Sequence, residues 1–254
     1  MNIKDAILIG SGAQADIYLY ENKAVKIYKT ECSQGVARYE AELQEKAYKA
    51  GLPAPLVYEV IEIDGRSAIV MEFIQGKPLG EIMLEDMERA HEYLGASVDL
   101  QIRIHKVNAE GFPSQRDRLK SKIMSNPYLT GGQRERLSRS LRGLPKENQL
   151  CHGDYHVLNL LQSGGGIKVI DWIDASGGVA TLDVCRSYLI YLLHQREIAE
   201  FYLDIYCGKA NMPKREVLEW LPVIAGARLS ENVTAKDAET LIKLVDGRAG
   251  GMVY

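Results

Sequence analysis

The sequence lacks several features that would point to common classes of protein. Its four cysteines, Cys32, Cys151, Cys185 and Cys207, form no C-x-x-C pair, so the sequence has no zinc-site spacing and favours reduced thiols in the cytoplasm. No apolar run approaches the length of a transmembrane helix, and the N-terminus does not begin like a signal peptide. We therefore expect a cytoplasmic protein without a membrane partner.

Excess charge and repetition are lacking as well. The formal net charge is only −3, so nothing global indicates a nucleic-acid or membrane surface. We find no repeats and no low-complexity tract. The chain of 254 residues is long enough to bury two modest cores, and its composition, 46% hydrophobic and 26% charged, is ordinary for a soluble globular protein.

A segment in the second half of the chain has the order of a phosphoryl-transfer site. It reads His-Gly-Asp-Tyr-His-Val-Leu-Asn over residues 152–159, and Asp171 follows after a short hairpin. In such sites one aspartate meets the substrate hydroxyl, while an asparagine and a second aspartate hold magnesium. Asn159 and Asp171 lie symmetrically about Gly165, so pairing around a glycine-rich turn would bring them together. The alternative is a surface loop whose polar residues only cap turns.

A glycine-containing segment follows the apolar run Ile7–Ile9 near the N-terminus. Gly10 and Gly12 begin the spacing G-x-G-x-x-A-x-I, which ends at Ile17 and differs by one residue from the loop that covers ATP phosphates in kinases. Glycine suits such a loop because a backbone without Cβ can approach the phosphates closely. A plain β-turn would explain both glycines equally well.

The segment 24–28 predicts a strand that carries a lysine. Alternation places Ala24, Lys26 and Tyr28 on one face of this strand. Lys26 could then reach the α- and β-phosphates, while the small Ala24 leaves room for an adenine ring. The alternative is a lysine on a solvated face, which is the commoner position for lysines.

Residues 34–50 predict a helix that offers three glutamates as a partner for Lys26. Apolar and small residues recur at three-to-four spacing on the side that includes Glu40 and, at its margin, Glu45. We therefore expect Glu40, rather than Glu42 or Glu45, to orient the lysine.

A further apolar strand is predicted over Ala68–Ile74, running into a loop. Such a segment can pair an adenine through its backbone, and the alternation assigns this role to the carbonyl of Glu72 and the amide of Ile74. A buried strand with no such role would have the same sequence pattern.

Together these segments resemble the aminoglycoside phosphotransferase and choline kinase-like family, which shares the fold of eukaryotic protein kinases. The resemblance covers nearly the whole chain, and the loop at 152–159 with the Ile-Asp-Trp segment at 170–172 is its most specific part. It implies that Asp154 is the catalytic base, that Asn159 and Asp171 bind Mg²⁺, and that Lys26 binds the phosphates of ATP.

The resemblance also assigns supporting roles around the catalytic loop. Asp183 resembles the family's buried aspartate, which braces this loop from a helix. We interpret His156 as a structural hydrogen-bonding residue rather than a phosphate ligand, and His152 as an anchor for the loop backbone.

The order of elements predicts an α+β fold with two lobes, like that of protein kinases. Residues 1–74 would form a strand-rich nucleotide-binding lobe, and residues 75–254 a helical lobe for catalysis and acceptor binding. Helices are predicted over residues 86–107, 183–206, 214–228 and 235–245. Met87 is expected on the inward face of the first of these, His105 in the core, and Trp220 as a core anchor.

Two features distinguish the chain from a protein kinase. Only eleven residues separate Asp171 from Asp183, too few for a long activation segment. Gly153 occupies the position of the arginine that reads activation-loop phosphate in protein kinases. A small-molecule acceptor is therefore the better interpretation.

The segment 115–142 carries a net positive charge, which bears on the acceptor. If it lines the acceptor pocket, the acceptor is a neutral or anionic hydroxylated molecule, because a polycation would be repelled. The alternative is that its basic side chains face water.

The sequence thus predicts an ATP- and Mg²⁺-dependent enzyme that transfers phosphate to a hydroxyl of a small molecule. Two alternatives remain: a nucleotide-binding pseudokinase or regulatory module, and, with less support, a protein kinase.

Overall fold

A computed structural model describes residues 5–247 of the chain. They divide into two compact units, each made of two stretches of chain. The first unit comprises the described part of Met1–Met87 together with Val157–Asp174. The second comprises Glu88–His156 and the described part of Ala175–Tyr254. The expected division of domains at residue 74 stays a prediction.

An antiparallel five-stranded sheet forms most of the first unit, with the strand order β1-β2-β3-β5-β4. Its strands are β1 (Ile7–Ser11), β2 (Ala15–Tyr20), β3 (Lys23–Tyr28), β4 (Val57–Ile63) and β5 (Arg66–Glu72). Alternate residues of β3 lie in separate apolar clusters, as expected from its period of two. Tyr28 packs with Ala37, Ala41 and Ile69, whereas Val25 and Ile27 pack with the other cluster.

The helix α1 (Val36–Lys49) packs on the sheet face that carries Tyr28. The buried side chains of α1 recur at helical spacing and form a stripe that includes Glu40, as the pattern of small residues indicated. Lys26 of β3 and Glu40 of α1 both extend toward this face, so their side chains can meet between the helix and the sheet.

A second, three-stranded sheet of the first unit holds the end of the catalytic loop. Its order is β6-β8-β9, and its strands are β6 (Gly76–Pro78), β8 (Leu160–Ser163) and β9 (Gly166–Val169). A short helix, α2 (Leu79–Glu85), follows β6, and 3₁₀ turns occupy Met87–Arg89, Val157–Asn159 and Trp172–Asp174. The fully buried Trp172 anchors the last of these turns through its indole N–H, which donates to the carbonyl of Val169 at 2.9 Å.

Helices dominate the second unit. They are α3 (Ala90–His105), α4 (Gln115–Met124), α5 (Gly131–Arg142), α6 (Ala180–His194), α7 (Arg196–Ala210), α8 (Arg215–Leu218), α9 (Leu221–Arg228) and α10 (Ala235–Val245). Two short strands, β7 (Gln149–Cys151) and β10 (Ser176–Gly178), pair antiparallel beside them. Strands and helices are thus largely segregated, which confirms the expected α+β class.

Several sequence-based expectations for the helices are wrong in detail. The helix predicted over 183–206 is two helices, α6 and α7, separated at Gln195. The helix predicted over 214–228 is likewise α8 and α9. Met87 lies in the 3₁₀ turn and is 53% exposed rather than inward. Trp220 is only partly buried, and it precedes α9. The helix predicted over 235–245 is confirmed as α10.

Candidate active site

An ionic cluster of three residues lies in the first unit. The Nζ of Lys26 donates to both carboxylate oxygens of Glu40, at 2.7 and 2.8 Å, and to Oδ1 of Asp171 at 3.0 Å. The Lys26 and Glu40 side chains are 11% and 1% exposed, whereas that of Asp171 is 39% exposed. The structure therefore brings together three residues that are far apart in sequence and that were each predicted for the site.

Glu40 is the glutamate of α1 that faces the lysine. Glu42 is exposed, and Glu45 pairs instead with Lys49 one turn later, at 2.8 Å. The hydroxyl of the buried Tyr28 also donates to the Glu40 carboxylate. This carboxylate is thus fixed by donors from β3 alone, two residues apart on the same face of the strand.

The charges of the cluster do not balance. Burial opposes the charge of Lys26, but the carboxylates of Glu40 and Asp171 outweigh burial and raise the pKa of the lysine. Burial raises the pKa of Tyr28, and Glu40 raises it further, so the phenol stays neutral. Burial raises the pKa of Glu40 and Asp171 raises it further, whereas Lys26 and Tyr28 oppose this shift. One ammonium group thus faces two carboxyl side chains, and the more exposed of these belongs to Asp171.

Asn159 and Asp171 flank the open end of the hairpin of β8 and β9. The hairpin pairs Leu160 with Val169 and Ser163 with Gly166, so its turn consists of the two residues 164–165. Asn159 lies opposite Ile170, whose N–H donates to the Asn159 carbonyl at 3.0 Å. The expected pairing of Asn159 with Asp171 is therefore wrong by one residue. Asp171 is the next residue, and the hairpin does bring the two predicted ligands to the same end.

Asp171 has an unusual backbone conformation. Its φ is 64°, in the left-handed region that only glycine, and to a lesser degree asparagine and aspartate, adopts readily. Such conformations cost free energy and concentrate at functional sites, where the surrounding structure maintains them.

The glycine-containing segment forms the hairpin of β1 and β2. The loop is closed by the N–H of Gly12, which donates to the Ala15 carbonyl at 2.9 Å, and by Lys29 Nζ, which donates to the Gly12 carbonyl at 2.6 Å. Neither Gly10 nor Gly12 has a positive φ. A Cβ added to either would make only ordinary contacts, 3.7 Å from Ile17 at Gly10 and 3.5 Å from the Ala15 carbonyl oxygen at Gly12. The turn itself therefore does not require glycine at these positions.

The other predicted adenine-site residues lie on neighbouring strands of the same sheet. Ile17 of β2 is directly opposite Lys26, and Ala24 of β3 is opposite Met71 of β5. Ile74 follows β5 and is 8% exposed. The roles of these residues toward a nucleotide remain predictions.

The side chain of Glu72, at the end of β5, has structural partners. Its carboxylate accepts from the N–H of Leu56 at 3.1 Å and from Nζ of Lys168 at 3.2 Å. These contacts join β5, the segment before β4 and strand β9. Only the backbone of Glu72 was predicted to pair with adenine, and this remains a prediction.

The first half of the catalytic loop belongs to the second unit, where Asp183 of α6 braces it. Oδ1 of Asp183 accepts from the N–H of Gly153 at 2.7 Å, and Oδ2 lies 3.0 Å from Nε2 of His105. Burial opposes the charge of Asp183, but His105 and the Gly153 amide outweigh it and lower the pKa. The predicted bracing role of Asp183 and the core position of His105 are present in the structure.

Two further contacts fix the loop backbone. The hydroxyl of the buried Tyr155 donates to the Ser97 carbonyl of α3 at 2.6 Å. Nδ1 of His152 accepts from the N–H of Asp154 at 3.3 Å, so His152 does contact the loop backbone as expected. Gly153 has a φ of 84°, and its conformation explains why glycine rather than arginine occupies this position.

Asp154 points its carboxylate at two basic side chains. Oδ1 accepts from Arg186 at 3.0 Å, and Oδ2 lies 3.4 Å from Nε2 of His156. Burial would raise the pKa of Asp154, but His156, Arg186 and His152 outweigh burial and lower it. The group is therefore an ionised carboxylate near neutral pH, and the contact of His156 agrees with a structural role.

The sequence interpretation missed Arg186 and its second partner, Glu231. Arg186 follows Asp183 by one helical turn in α6, so it shares the face that holds the loop, and this spacing was a signal that could have identified it. Glu231 lies 77 positions beyond Asp154, and no local pattern relates the two.

The basic segment 115–142 is largely engaged in contacts within the protein. Four of its cations bind protein oxygens: Arg116 the carbonyl of Leu144, Arg134 that of Asn126, Arg136 that of Val245, and Arg139 the carboxylate of Glu135. Lys122 pairs with Glu231 at 3.0 Å. Most of the cations that favoured an anionic acceptor are thus engaged within the protein, and the preference for a neutral or anionic acceptor stays a prediction.

The order of elements described above is that expected of a kinase-like phosphotransferase. The sequence profile of the phosphotransferase enzyme family (APH) matches residues 5–221. The chain belongs to this family. Comparison with curated protein sequences gives no match.

Several solved structures have the same fold. A thermostable mutant of aminoglycoside phosphotransferase APH(4)-Ia, in complex with AMP-PNP and hygromycin B, is 16% identical with a TM-score of 0.64, over 96% of this chain and 88% of that one. Amicoumacin kinase hAmiN, with AMP-PNP, Ca²⁺ and Ami, is 14% identical with a TM-score of 0.63, over 97% and 88%. Aminoglycoside-3'-phosphotransferase of type VIII is 20% identical with a TM-score of 0.60, over 89% and 93%. The expected protein-kinase-like fold is confirmed.

Within residues 5–247, no helix is both long enough and apolar enough to cross a membrane.

Proposed function

We propose that this protein is an ATP-dependent phosphotransferase that moves the γ-phosphate to a hydroxyl group of a small molecule. The observation that carries the proposal is the ionic cluster of Lys26, Glu40 and Asp171. A phosphate-binding lysine held by a helix glutamate, beside a metal-binding aspartate, is the arrangement that kinases use to hold the phosphates of ATP.

The glycine loop supports the same assignment. Gly10 and Gly12 have no positive φ and have room for a Cβ, so backbone strain does not account for them. Close approach of phosphate groups to the loop backbone would account for them, because any side chain there would occupy the space of the ligand. Ile17 and Ala24 would then border the adenine, with the backbone of Glu72 and Ile74 as its hydrogen-bonding partners.

The residues predicted to hold Mg²⁺ fit that ion. Asn159 and Asp171 offer hard oxygen donors at one end of a hairpin, and the cluster around Lys26 has one negative charge in excess. Magnesium binds through one or two protein ligands and keeps water and substrate phosphate as the others. Among the described residues, no group of three or more His, Cys, Asp and Glu side chains forms a metal site, which a site of this kind does not need. The bound ion would neutralise charge on the phosphates.

Asp154 would act on the acceptor. Its carboxylate would accept the proton of the acceptor hydroxyl while the hydroxyl oxygen bonds to the γ-phosphorus. The bond from that phosphorus to the bridging oxygen breaks, and ADP leaves. A carboxylate with a lowered pKa suits this task, since the loose transition state of phosphoryl transfer needs an oriented hydroxyl more than an early proton transfer.

The two alternatives have less support. A pseudokinase would commonly lack one of the functional residues, and Lys26, Asp154, Asn159 and Asp171 are all present. A protein kinase needs an activation segment, and the eleven residues between Asp171 and Asp183 contain a 3₁₀ turn, strand β10 and the start of α6.

A screen of small hydroxylated compounds for ATP consumption tests the proposal. Neutral sugars, amino alcohols and aminoglycosides should be included, because two of the similar solved structures contain hygromycin B and amicoumacin. With the accepted compound, Asp154→Asn should lower turnover by about 10²–10⁴-fold, the usual contribution of a general base. ATP affinity should stay near the wild-type value, since the nucleotide contacts belong to other residues. Equal turnover of mutant and parent would refute the role of Asp154.

A further inference from the structure

Arg186 joins two carboxylates in the second unit. One of its guanidinium nitrogens, Nη2, donates to Oδ1 of Asp154 at 3.0 Å and to Oε2 of Glu231 at 2.9 Å. The Arg186 side chain is only 10% exposed, compared with 27% for Asp154 and 22% for Glu231. The ion pairs are therefore largely desolvated, and such pairs constrain geometry more than surface pairs do.

Glu231 is held in turn by two other cations. Oε1 accepts from Lys122 of α4 at 3.0 Å, and Oε2 accepts from Arg228 at the end of α9. Burial would raise the pKa of Glu231, but Arg186, Lys122 and Arg228 outweigh it and lower the pKa. A fixed anion therefore anchors Arg186 on the side away from Asp154.

The anchor comes from a part of the chain that the family profile does not reach. The match to the family ends at residue 221, whereas Arg228 and Glu231 lie beyond it. The connection from Glu231 through Arg186 to Asp154 thus involves residues beyond the part of the chain that matches the family profile.

We propose that Arg186 is a positioning residue that fixes the carboxylate of Asp154, and that Glu231 holds Arg186 in the required place. The importance of this role for catalysis rests on the proposed function. The terminal torsion of an aspartate is broad, so one short contact at Oδ1, with His156 beside Oδ2, restricts the rotation that would misalign the carboxylate. Misplacement of a catalytic group by about 1 Å can cost about 10²-fold in rate.

A purely structural ion pair makes different predictions. It would tie the segment after α9 to α6, and its loss would lower the melting temperature but leave the chemistry of Asp154 unchanged. Four groups bear on that chemistry: His152 and His156 from the loop, Arg186 from α6, and Glu231 through Arg186. A variant of Arg186 should lower kcat at a temperature at which it stays folded only if the positioning role is correct.

Turnover provides the first test, with Arg186→Met, Arg186→Lys and Glu231→Gln. The acceptor is the compound identified by the ATP-consumption screen. We expect Arg186→Met to lower kcat by about 10²-fold with the KM for ATP within about twofold of wild type. Arg186→Lys should recover part of the loss, because it restores the charge but not the planar guanidinium group. The kcat of Glu231→Gln should lie between those of Arg186→Met and the wild type. Arg139→Met is the matched control, because it removes an arginine from an exposed pair with Glu135.

Titration of Asp154 provides a second test that does not depend on activity. The ¹³C resonance of its carboxyl carbon, followed by NMR, should stay at the ionised position to lower pH in the wild type than in Arg186→Met, because removal of a nearby cation raises a carboxyl pKa. Identical titration in the two proteins, or equal kcat, would overturn the positioning role. A wild type that neither binds nor consumes MgATP would instead refute the proposed function, even with a shifted titration.

Discussion

Lys26, Glu40 and Asp171 form a cluster in which a single cation faces two carboxylates. Glu40 is almost fully buried and also accepts from Tyr28, so its carboxyl group already has its partners within the protein. Asp171 has a 39% exposed side chain and contributes only one oxygen to Lys26 in the contacts described. At the scale of residues, the excess negative charge is therefore concentrated where a divalent cation can reach it.

Replacement of Asp171 by asparagine isolates this charge. Asn is chosen because Asp171 has a φ of 64°, a conformation that Asn tolerates better than Ala does. Wild-type protein should melt at a higher temperature with MgATP, since a ligand that binds only the native state stabilises it by about 2.7 kcal/mol at 100 times its Kd. Asp171→Asn should lose most of the magnesium-dependent part of this shift, as measured by thermal denaturation with ATP alone and with MgATP.

The control for this experiment is Asp99→Ala, which removes a 64% exposed carboxylate paired with Lys209 on the second unit. It should keep the full magnesium response. A response of Asp171→Asn equal to that of wild type would remove Asp171 from the metal site.

Two loops contain glycine for different physical reasons. In the loop between β1 and β2, Gly12 has an ordinary backbone conformation and space for a Cβ. In the catalytic loop, Gly153 has a φ of 84° and donates its N–H to Asp183. At the scale of elements, Gly12 leaves the space beside its loop unfilled, whereas Gly153 allows the backbone of the catalytic loop to adopt a positive φ.

Substitution by alanine should separate the two roles. Gly12→Ala should keep the wild-type melting temperature and weaken ATP binding about tenfold, or about 1.4 kcal/mol. Gly153→Ala should lower the melting temperature, because a left-handed conformation costs a residue with a Cβ roughly 1–2 kcal/mol, and each kcal/mol corresponds to roughly 2–4 °C in a protein of this size. Thermal denaturation and ATP titration of both variants measure this, and the reverse pattern would contradict it.

The sequence predicts elements well where the signal is local and poorly where tertiary packing decides. The helix α10 has its predicted bounds, with Thr234 as a cap that accepts from Asp237. The break between α6 and α7 falls at Gln195, which is extended and has no proline or glycine beside it, so no local residue predicts it. The break between α8 and α9 could have been predicted from Pro222, which lies in the first turn of α9, because proline favours the start of a helix.

The candidate site shows the same contrast. Lys26, Glu40, Asn159 and Asp171 were predictable because strand alternation, helix periodicity and a hairpin each fix a direction for a side chain. Glu231 was not, because it reaches its partner through a contact between elements that are distant in sequence. Ion pairs of this kind leave no periodic pattern in the sequence.

The segment between Asp171 and Asp183 limits how the whole molecule is regulated. Its eleven residues are occupied by the 3₁₀ turn Trp172–Asp174, strand β10 and the first turn of α6. Ser176, within β10, is 3% exposed. No long stretch of this segment is available to be ordered by phosphorylation, and Gly153 replaces the arginine that would read a phosphate.

Activity should therefore need no prior phosphorylation. Protein treated with a phosphatase should keep its full rate with the acceptor identified by the screen, and intact-mass spectrometry should verify that no phosphate remains. A large loss of rate after treatment, restored by rephosphorylation, would contradict this prediction.

The path of the chain through the two units has a consequence for gene recombination. The first unit needs both the described part of Met1–Met87 and Val157–Asp174, because strand β6 from the early stretch pairs with β8 from the late one. A single crossover with the gene of a relative that falls between β6 and β8 would give a chimera in which these two strands come from different parents. Exchange of the first unit between homologues thus requires two insertions, and the second must carry the hairpin from Val157 to Asp174 as one block.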